Sequence, residues 1–245
     1  MVMTVNEFEA ELRKVAVEGY YDKHEFHKLL HGGKLNRGQL QAWALNRYYF
    51  QACAPRKDAT LISRSGSRDF RREWTLRLLD HDGFGQDEGG LERWLKLTDG
   101  LGLARNDVLA MRGVLPETVK TVEGYLDYVR TKPFVAAVAT TLTELLAPKL
   151  HRERMTSMID AYPFLDKEIL TYFKQRFTHA PRDASFALDY VKRNACSRED
   201  QVACLAAVTY KCSMLTALLD ALFDAYVRGN IPPGAFTPSL ELVKR

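Results

Sequence analysis

The chain is predicted to be all-α. Its apolar residues recur at helical spacing nearly throughout, and helix-capping sequences open several of the periodic segments. Alternating stretches bounded by hairpin turns such as Asn-Gly do not occur. At 245 residues the chain can bury a sizeable core, and no fixed internal period marks a solenoid. One helical domain spanning 1–245 is expected, with its core at roughly 5–230.

Thr4 with Glu7 forms a capping-box pattern that opens an amphipathic first helix. In "HEFHKLLH", His24, His27 and His31 fall on one helical stripe and read as a partly exposed histidine face. Asn36 with Gln39 repeats the capping signal before a long helix that contains "WALNRYYFQACAPRKDA". A further helix starts at Ser67 and ends in "RLLDHDGFGQDEGG", and "GGLERWLKLTDGLG" gives a short one. Pro116 suits the first position of the next helix. The Val/Ala-rich segment after Pro133 and "FLDKEILTYFKQRF" follow, with His179 near Pro181 read as a loop histidine at a helix end. In the last helix, Ser197 with Asp200 can cap the start, Gly229 can end it, and Pro232 and Pro233 stop any continuation. This helix is apolar on nearly all sides, which suits a central element.

Composition excludes several classes. A net charge of +4, from 35 Lys+Arg against 31 Asp+Glu, is too weak and dispersed to imply nucleic acid. The N-terminus lacks the basic start and apolar run of a secretion signal, and no run of about 18 apolar residues predicts a membrane span. A cytoplasmic protein is expected. Cys53, Cys196, Cys204 and Cys212 contain no C-x-x-C pair, so reduced thiols are expected.

The informative residues are polar side chains on otherwise apolar helices. Arg47 and Gln51, Arg77 and His81, and Tyr172 and Arg176 each stand four apart, on one helical face. Thr140, Glu144, Ala147, His151 and Arg154 run along one stripe, and Lys211 lies between Val208 and Leu215 on the last helix. Each alone has an ordinary explanation as a snorkelling cation, a surface pair or a buried ion pair. Together, Arg47, Lys57, Arg77, Arg154, Arg176 and Lys211 outnumber the one acid on these stripes, Glu144. Buried cations without protein partners call for a ligand anion, and several arginines suit a polycarboxylate. His81, flanked by Asp80 and Asp82, is suited to general acid or base work. Phe84 occupies a position where an EF-hand needs an oxygen ligand, and no Glu-x-x-His pairs supply a di-iron site, so no metal is expected. Cys204 or Cys212 could serve as a nucleophile, although small buried thiols are usually packing groups.

These stretches together resemble the pyrroloquinoline-quinone synthase family, the PqqC proteins. "WALNRYYFQACAPRKDA", "RLLDHDGFGQDEGGLERWL", "LTELLAPKLHRERM", "YFKQRF" and "TYKCSMLTALLDA" occur in family order, and the similarity covers nearly the whole chain. The resemblance implies a compact seven-helix bundle of the haem oxygenase/thiaminase type, six helices around one, assembled as a homodimer. It implies the last step of pyrroloquinoline quinone biosynthesis: ring closure and eight-electron oxidation of a tricarboxylated bicyclic amino-quinone precursor. Molecular oxygen is the co-substrate, hydrogen peroxide is released, and no metal or organic cofactor takes part.

By the same resemblance, Arg47, Lys57, Arg77, Arg154 and Lys211 hold substrate carboxylates or line the pocket. Tyr20, Gln51, Tyr125, Thr143 and Glu144 make polar contacts to the ring system, His81 is the catalytic acid/base, and His151, Tyr172 and Arg176 hold oxygen or peroxide. Tyr21 departs from the pattern where relatives carry a histidine against the ligand. Some relatives continue, after the segment that here reads "ELVKR", into a PqqD-like partner domain. Two rival readings are a thiaminase-like hydrolase with a cysteine nucleophile and a non-catalytic quinone carrier.

Overall fold

The computed structural model of the chain describes residues 1–146, 161–162 and 171–239, the side chains of 146 and 171–181 excepted. Its elements in order are α1 (Val5–Gly19), a 3-10 turn (Tyr21–Lys23), α2 (Glu25–His31), α3 (Arg37–Arg64), α4 (Arg68–Asp82) and α5 (Gly89–Gly100). Then come α6 (Arg105–Leu109), α7 (Pro116–Thr131), α8 (Phe134–Ala139), a 3-10 helix (Thr140–Leu146), α9 (Thr171–Asn194) and α10 (Arg198–Tyr226). Among the described residues there is no strand, only an isolated bridge between Phe84 and Asp87. The ten α-helices among the described residues exceed the seven expected, with α2, α6 and α8 short pieces of 7, 5 and 6 residues.

Local sequence sets the helix starts. Thr4 with Glu7, Asn36 with Gln39 and Ser197 with Asp200 all form reciprocal capping boxes. Each satisfies backbone N–H groups that would otherwise have no partner. Pro116 stands in the first turn of α7, where its missing N–H costs nothing.

α10 packs against α1, α2, α3, α7, α8 and both 3-10 segments, so this long apolar helix is the most surrounded of the described elements. Its length and composition would also let it cross a membrane, contrary to the expectation that no segment qualifies. Its apolar character is accounted for by the helices around it. α3 lies along α4, α5 and α7, and α9 packs on α8, α5, α4 and the 3-10 helix. Trp74, Trp94, Phe70, Phe26 and Phe8 are fully buried. Phe70 and Trp74 stack at 4.8 Å, and the Trp94 indole donates to Ala44 O at 2.9 Å.

Three local expectations are corrected. Helix α9 continues through Pro181 to Asn194, so His179 is within a helix rather than in a loop. The Thr140–Glu144 part of the α-helical stripe is instead a 3-10 helix, in which residues three apart align. Thr140 and Thr141 donate their hydroxyls to Ala137 O and Val138 O, three residues back. The partly exposed histidine stripe holds only in part: His24 and His31 are half-buried, but the three do not share one face of α2. His24 sits outside α2 as its N-cap, accepting from Phe26 N at 3.0 Å, and His27 is buried, stacked on His31 at 4.0 Å.

Candidate active site

α3 and α4 are joined by a short turn and pack side by side. The second half of α3 therefore faces α4, and both present charge to the interior. Gln51, Lys57 and Asp58 on α3, Arg77 and His81 on α4, Tyr125 on α7, Thr143 on the 3-10 helix and Lys211 on α10 are all buried. The helical spacing of Arg47, Gln51 and Asp58 (i, i+4, i+11) places them along one stripe of α3.

Arg77 is the hub. Its Nη2 donates to Glu144 Oε1 at 2.7 Å, its Nη1 lies 3.4 Å from Asp183 Oδ2, and its Nε lies 3.5 Å from Asp58 Oδ1. The guanidinium also stands over the Trp74 ring, 4.8 Å from its centroid. Burial opposes the charge of Arg77, but Glu144, Asp58 and Asp183 outweigh it and hold the group above its ordinary range. Asp58 Oδ1 also accepts from Trp74 Nε1 at 2.7 Å and meets Lys57 Nζ at 2.5 Å. One residue thus ties together α3, α4, α9 and the 3-10 helix.

Lys211 lies in a different environment. Its ammonium is 3.6 Å from the Tyr125 ring centroid and 4.4 Å from that of Phe50. Among the described residues no carboxylate lies within ion-pair distance of it. Burial first, then the like charges of Lys57 and Arg47, push its pKa well below the ordinary lysine value, against the weaker pull of Glu144. Burial also raises the Tyr125 phenol. Because the Thr140 hydroxyl donates to Ala137 O, it is Tyr125 that donates to Thr140 Oγ1, at 3.1 Å. Arg47 stands over Phe50 at 4.5 Å. It shares a small cavity of about 20 Å³ with Tyr21, Trp43, Thr118 and leucines of α10.

His81 is held in the last turn of α4. Gly83 closes that helix by donating to Leu79 O at 2.7 Å, and Gly83 and Gly89 adopt φ of 86° and 77°. A Cβ on Gly89 would stand 2.4 Å from Gly83 N and 2.6 Å from His81 O, so only glycine lets the chain fold back against the histidine's own carbonyl. Gly89→Ala is expected to lose about 1–3 kcal/mol in urea denaturation. An unchanged midpoint would show that this close approach is not required.

Of the residues singled out from sequence, Arg47, Lys57, Arg77, His81, Tyr125, Glu144 and Lys211 are linked by contact or charge in one interior. Tyr20 is buried at the end of α1, its ring 4.6 Å from that of Tyr21. His151 and Arg154 lie outside the described residues, as do the side chains of Tyr172 and Arg176, whose backbone belongs to α9. Sequence reasoning missed Asp58 and Asp183, both buried, so the cations are less in excess than their spacing suggests. The position of Asp58 on the Arg47–Gln51 stripe was the available signal; Asp183 offered none. The thiols are packed away: burial pushes Cys204 up to about 12 and Cys212 up to about 11. Cys212 Sγ lies toward α1, 4.0 Å from Ala16 O.

A helical chain folded around one apolar helix, with a buried cluster of cations and a histidine at its edge, has the features of a candidate site of helical-bundle type. The chain belongs to the TENA/THI-4/PQQC family, whose profile matches residues 11–221. It is 52% identical over 235 residues to the pyrroloquinoline-quinone synthase of Bradyrhizobium diazoefficiens, covering 96% of this chain and 91% of that one. It is 50% identical over 240 residues to the protein of the same name from Granulibacter bethesdensis, covering 98% and 94%. Among solved structures, a domain of unknown function with a heme oxygenase-like fold from Shewanella denitrificans superposes with TM-score 0.73 at 13% identity, covering 97% of this chain and all of that one. A TenA homolog from Pseudomonas syringae gives 0.70 at 13%, covering 89% and 92%.

Proposed function

We propose that this chain is a pyrroloquinoline-quinone synthase. It would close a ring of a tricarboxylated bicyclic amino-quinone precursor and oxidise it with molecular oxygen, releasing hydrogen peroxide. The observation that carries the reading is the group of half-buried Arg47 with buried Lys57, Arg77 and Lys211, found in a chain about half identical over nearly its whole length to synthases of that name. A ligand bearing several carboxylates supplies the anions that Lys211 lacks among the described residues.

Arg47, Lys57, Lys211 and Arg154 contact carboxylates, Arg77 lines the pocket and holds its acids, and Tyr20, Gln51, Tyr125, Thr143 and Glu144 contact the ring system. His81 moves protons, and His151, Tyr172 and Arg176 receive oxygen. An electron-rich quinol passes electrons to oxygen itself, so the protein need supply only orientation, proton transfer and electrostatics. On this reading no metal or organic cofactor is used, and the enzyme works as a cytoplasmic homodimer. The cysteine-nucleophile alternative is disfavoured because Cys204 and Cys212 are buried with raised pKa values, leaving little thiolate near neutral pH.

The test mixes metal-stripped protein with the precursor under air and follows quinone absorbance, oxygen uptake and peroxide together. Turnover that falls about a hundredfold in His81→Ala is expected. Tight binding without oxygen uptake would leave a carrier, and activity that returns only with added iron would leave a metalloenzyme.

A further inference from the structure

Asp58 has no role in the scheme above, yet it is completely buried at the centre of the cluster. Its two oxygens are used unequally. Oδ1 takes the Trp74 indole N–H at 2.7 Å, the Lys57 ammonium at 2.5 Å and Arg77 Nε at 3.5 Å. Oδ2 is also buried and has no hydrogen-bond partner among the described residues. A buried carboxylate oxygen left unbonded is costly and calls for an explanation.

The explanation lies along α4. Trp74, Arg77 and His81 follow one another at three and four residues, on one stripe of the helix. The first two meet Asp58, so the stripe carries His81 to the same side one turn further on. The positive charge of His81 acts on Asp58: burial would raise this carboxyl, but Lys57, Arg77 and then His81 together hold it below the ordinary value.

We infer that Asp58 is a positioning residue for proton transfer, its carboxylate stabilising the imidazolium of His81 while fixing the Lys57 and Arg77 cations beside it. This rests on the reading of His81 as the proton-transfer group. Other charged groups on the elements around α4 include Lys57 on α3, Arg77, Asp80 and Asp82 on α4 itself, and Arg93 on α5. Glu144 on the 3-10 helix and Arg182 and Asp183 on α9 are further ones that pair with α4. Most of these already have partners. Asp80 pairs with Arg182 at 2.6 Å, Arg93 with Asp87 at 2.5 Å, Glu144 with Arg77 at 2.7 Å, and Asp183 with Arg182 at 2.8 Å. Asp82 is exposed to solvent. Asp183 Oδ2 and Glu144 Oε2 are also buried without a hydrogen bond among the described residues, but of these acids it is Asp58, on α3, that meets the Trp74–Arg77 side of the helix stripe that continues to His81.

The experiment is an NMR titration of the full chain with ¹³C-labelled histidine, the His81 resonance being assigned among the six histidines by its loss in His81→Gln. Removing a nearby negative charge disfavours the imidazolium, so the His81 midpoint is expected to fall by about one pH unit in Asp58→Asn. Asp183→Asn, which strips a different carboxylate from Arg77, should move it much less. A purely structural role would cost stability in both variants and leave the midpoint in place, and that result overturns the inference. Should Asp58→Asn not fold, Lys57→Met is compared with Lys57→Met/Asp58→Asn, in which the ion pair is removed as a unit. The same fall is expected between those two, and its absence is equally decisive. The readout needs no substrate. A wild type that shows the coupling but turns over no precursor sinks the proposed reaction alone, and an active enzyme with an unmoved midpoint sinks only the role of Asp58.

Discussion

Arg77→Met is expected to lose about 3–5 kcal/mol of folding stability, because it leaves three interior carboxylates without their shared cation. Methionine keeps most of the packing over Trp74, so the loss reports charge rather than volume. Asp58 and Asp183 are buried, and Glu144 is largely so. An exposed pair of the same kind would be worth only about 0–1 kcal/mol. The pH dependence separates the two forms. In the wild type, Asp58 is held below its ordinary value of 3.8. Its contribution is therefore present above that value and is lost as pH falls through the folded one. Without Arg77 the Asp58 carboxyl should rise above its unfolded value, so the variant loses stability as pH rises through that raised value. Urea denaturation at about pH 5 and pH 8 should give a deficit that is larger at the higher pH. Equal deficits at both would mean that the acids are not charged partners of Arg77.

The parts of this arrangement that sequence reveals are those set by neighbours along the chain. Thr4, Asn36 and Ser197 announce their helices because a capping box closes within four residues. Pro181 gave the wrong boundary because a helix packed on several others can absorb one missing backbone hydrogen bond, and that packing is set by distant residues. Pro55 is likewise buried within the continuous α3. The cations were legible from their i,i+4 spacing on apolar helices, but their partners were not. Asp183 reaches Arg77 from α9, a contact no local pattern encodes. Exposure was equally hidden. The spacing of His27 and His31 is the same on a wet face as on a dry one, and only the edge contact of His27 with Tyr21 and its stacking on His31 decide it. The fold could be argued without the site, since solved structures at 13% identity share it. A common helical architecture carries no charge cluster with it, so the functional reading stands on Arg47, Lys57, Arg77 and Lys211 and on the closer relatives.

Lys211→Met is expected to stabilise the ligand-free protein while weakening precursor binding about a hundredfold. Both effects have one cause. The ammonium is buried against Tyr125 and Phe50, and Lys57 and Arg47 add like charge. An apolar side chain of similar length removes that penalty, and a gain of about 1–4 kcal/mol is in the range seen when buried charges are replaced by well-packed hydrophobes. The sign with pH follows from the depressed pKa. Between the folded value and the ordinary 10.5, the unfolded chain binds a proton that the native one does not, so wild-type stability climbs as pH rises through that window. The variant lacks this slope, and its advantage should therefore shrink from pH 7 to pH 10. Binding runs the other way. A carboxylate beside Lys211 favours the ammonium, so the wild type should take up a proton with the precursor wherever the free lysine is neutral, and the variant should not. Calorimetry in two buffers of different ionisation heat measures that proton directly. Loss of affinity together with higher stability would mark Lys211 as a residue kept for the ligand at the expense of the fold. A variant that is less stable than the wild type would show that the lysine is paired within the protein, and the anion it holds would then not be the substrate.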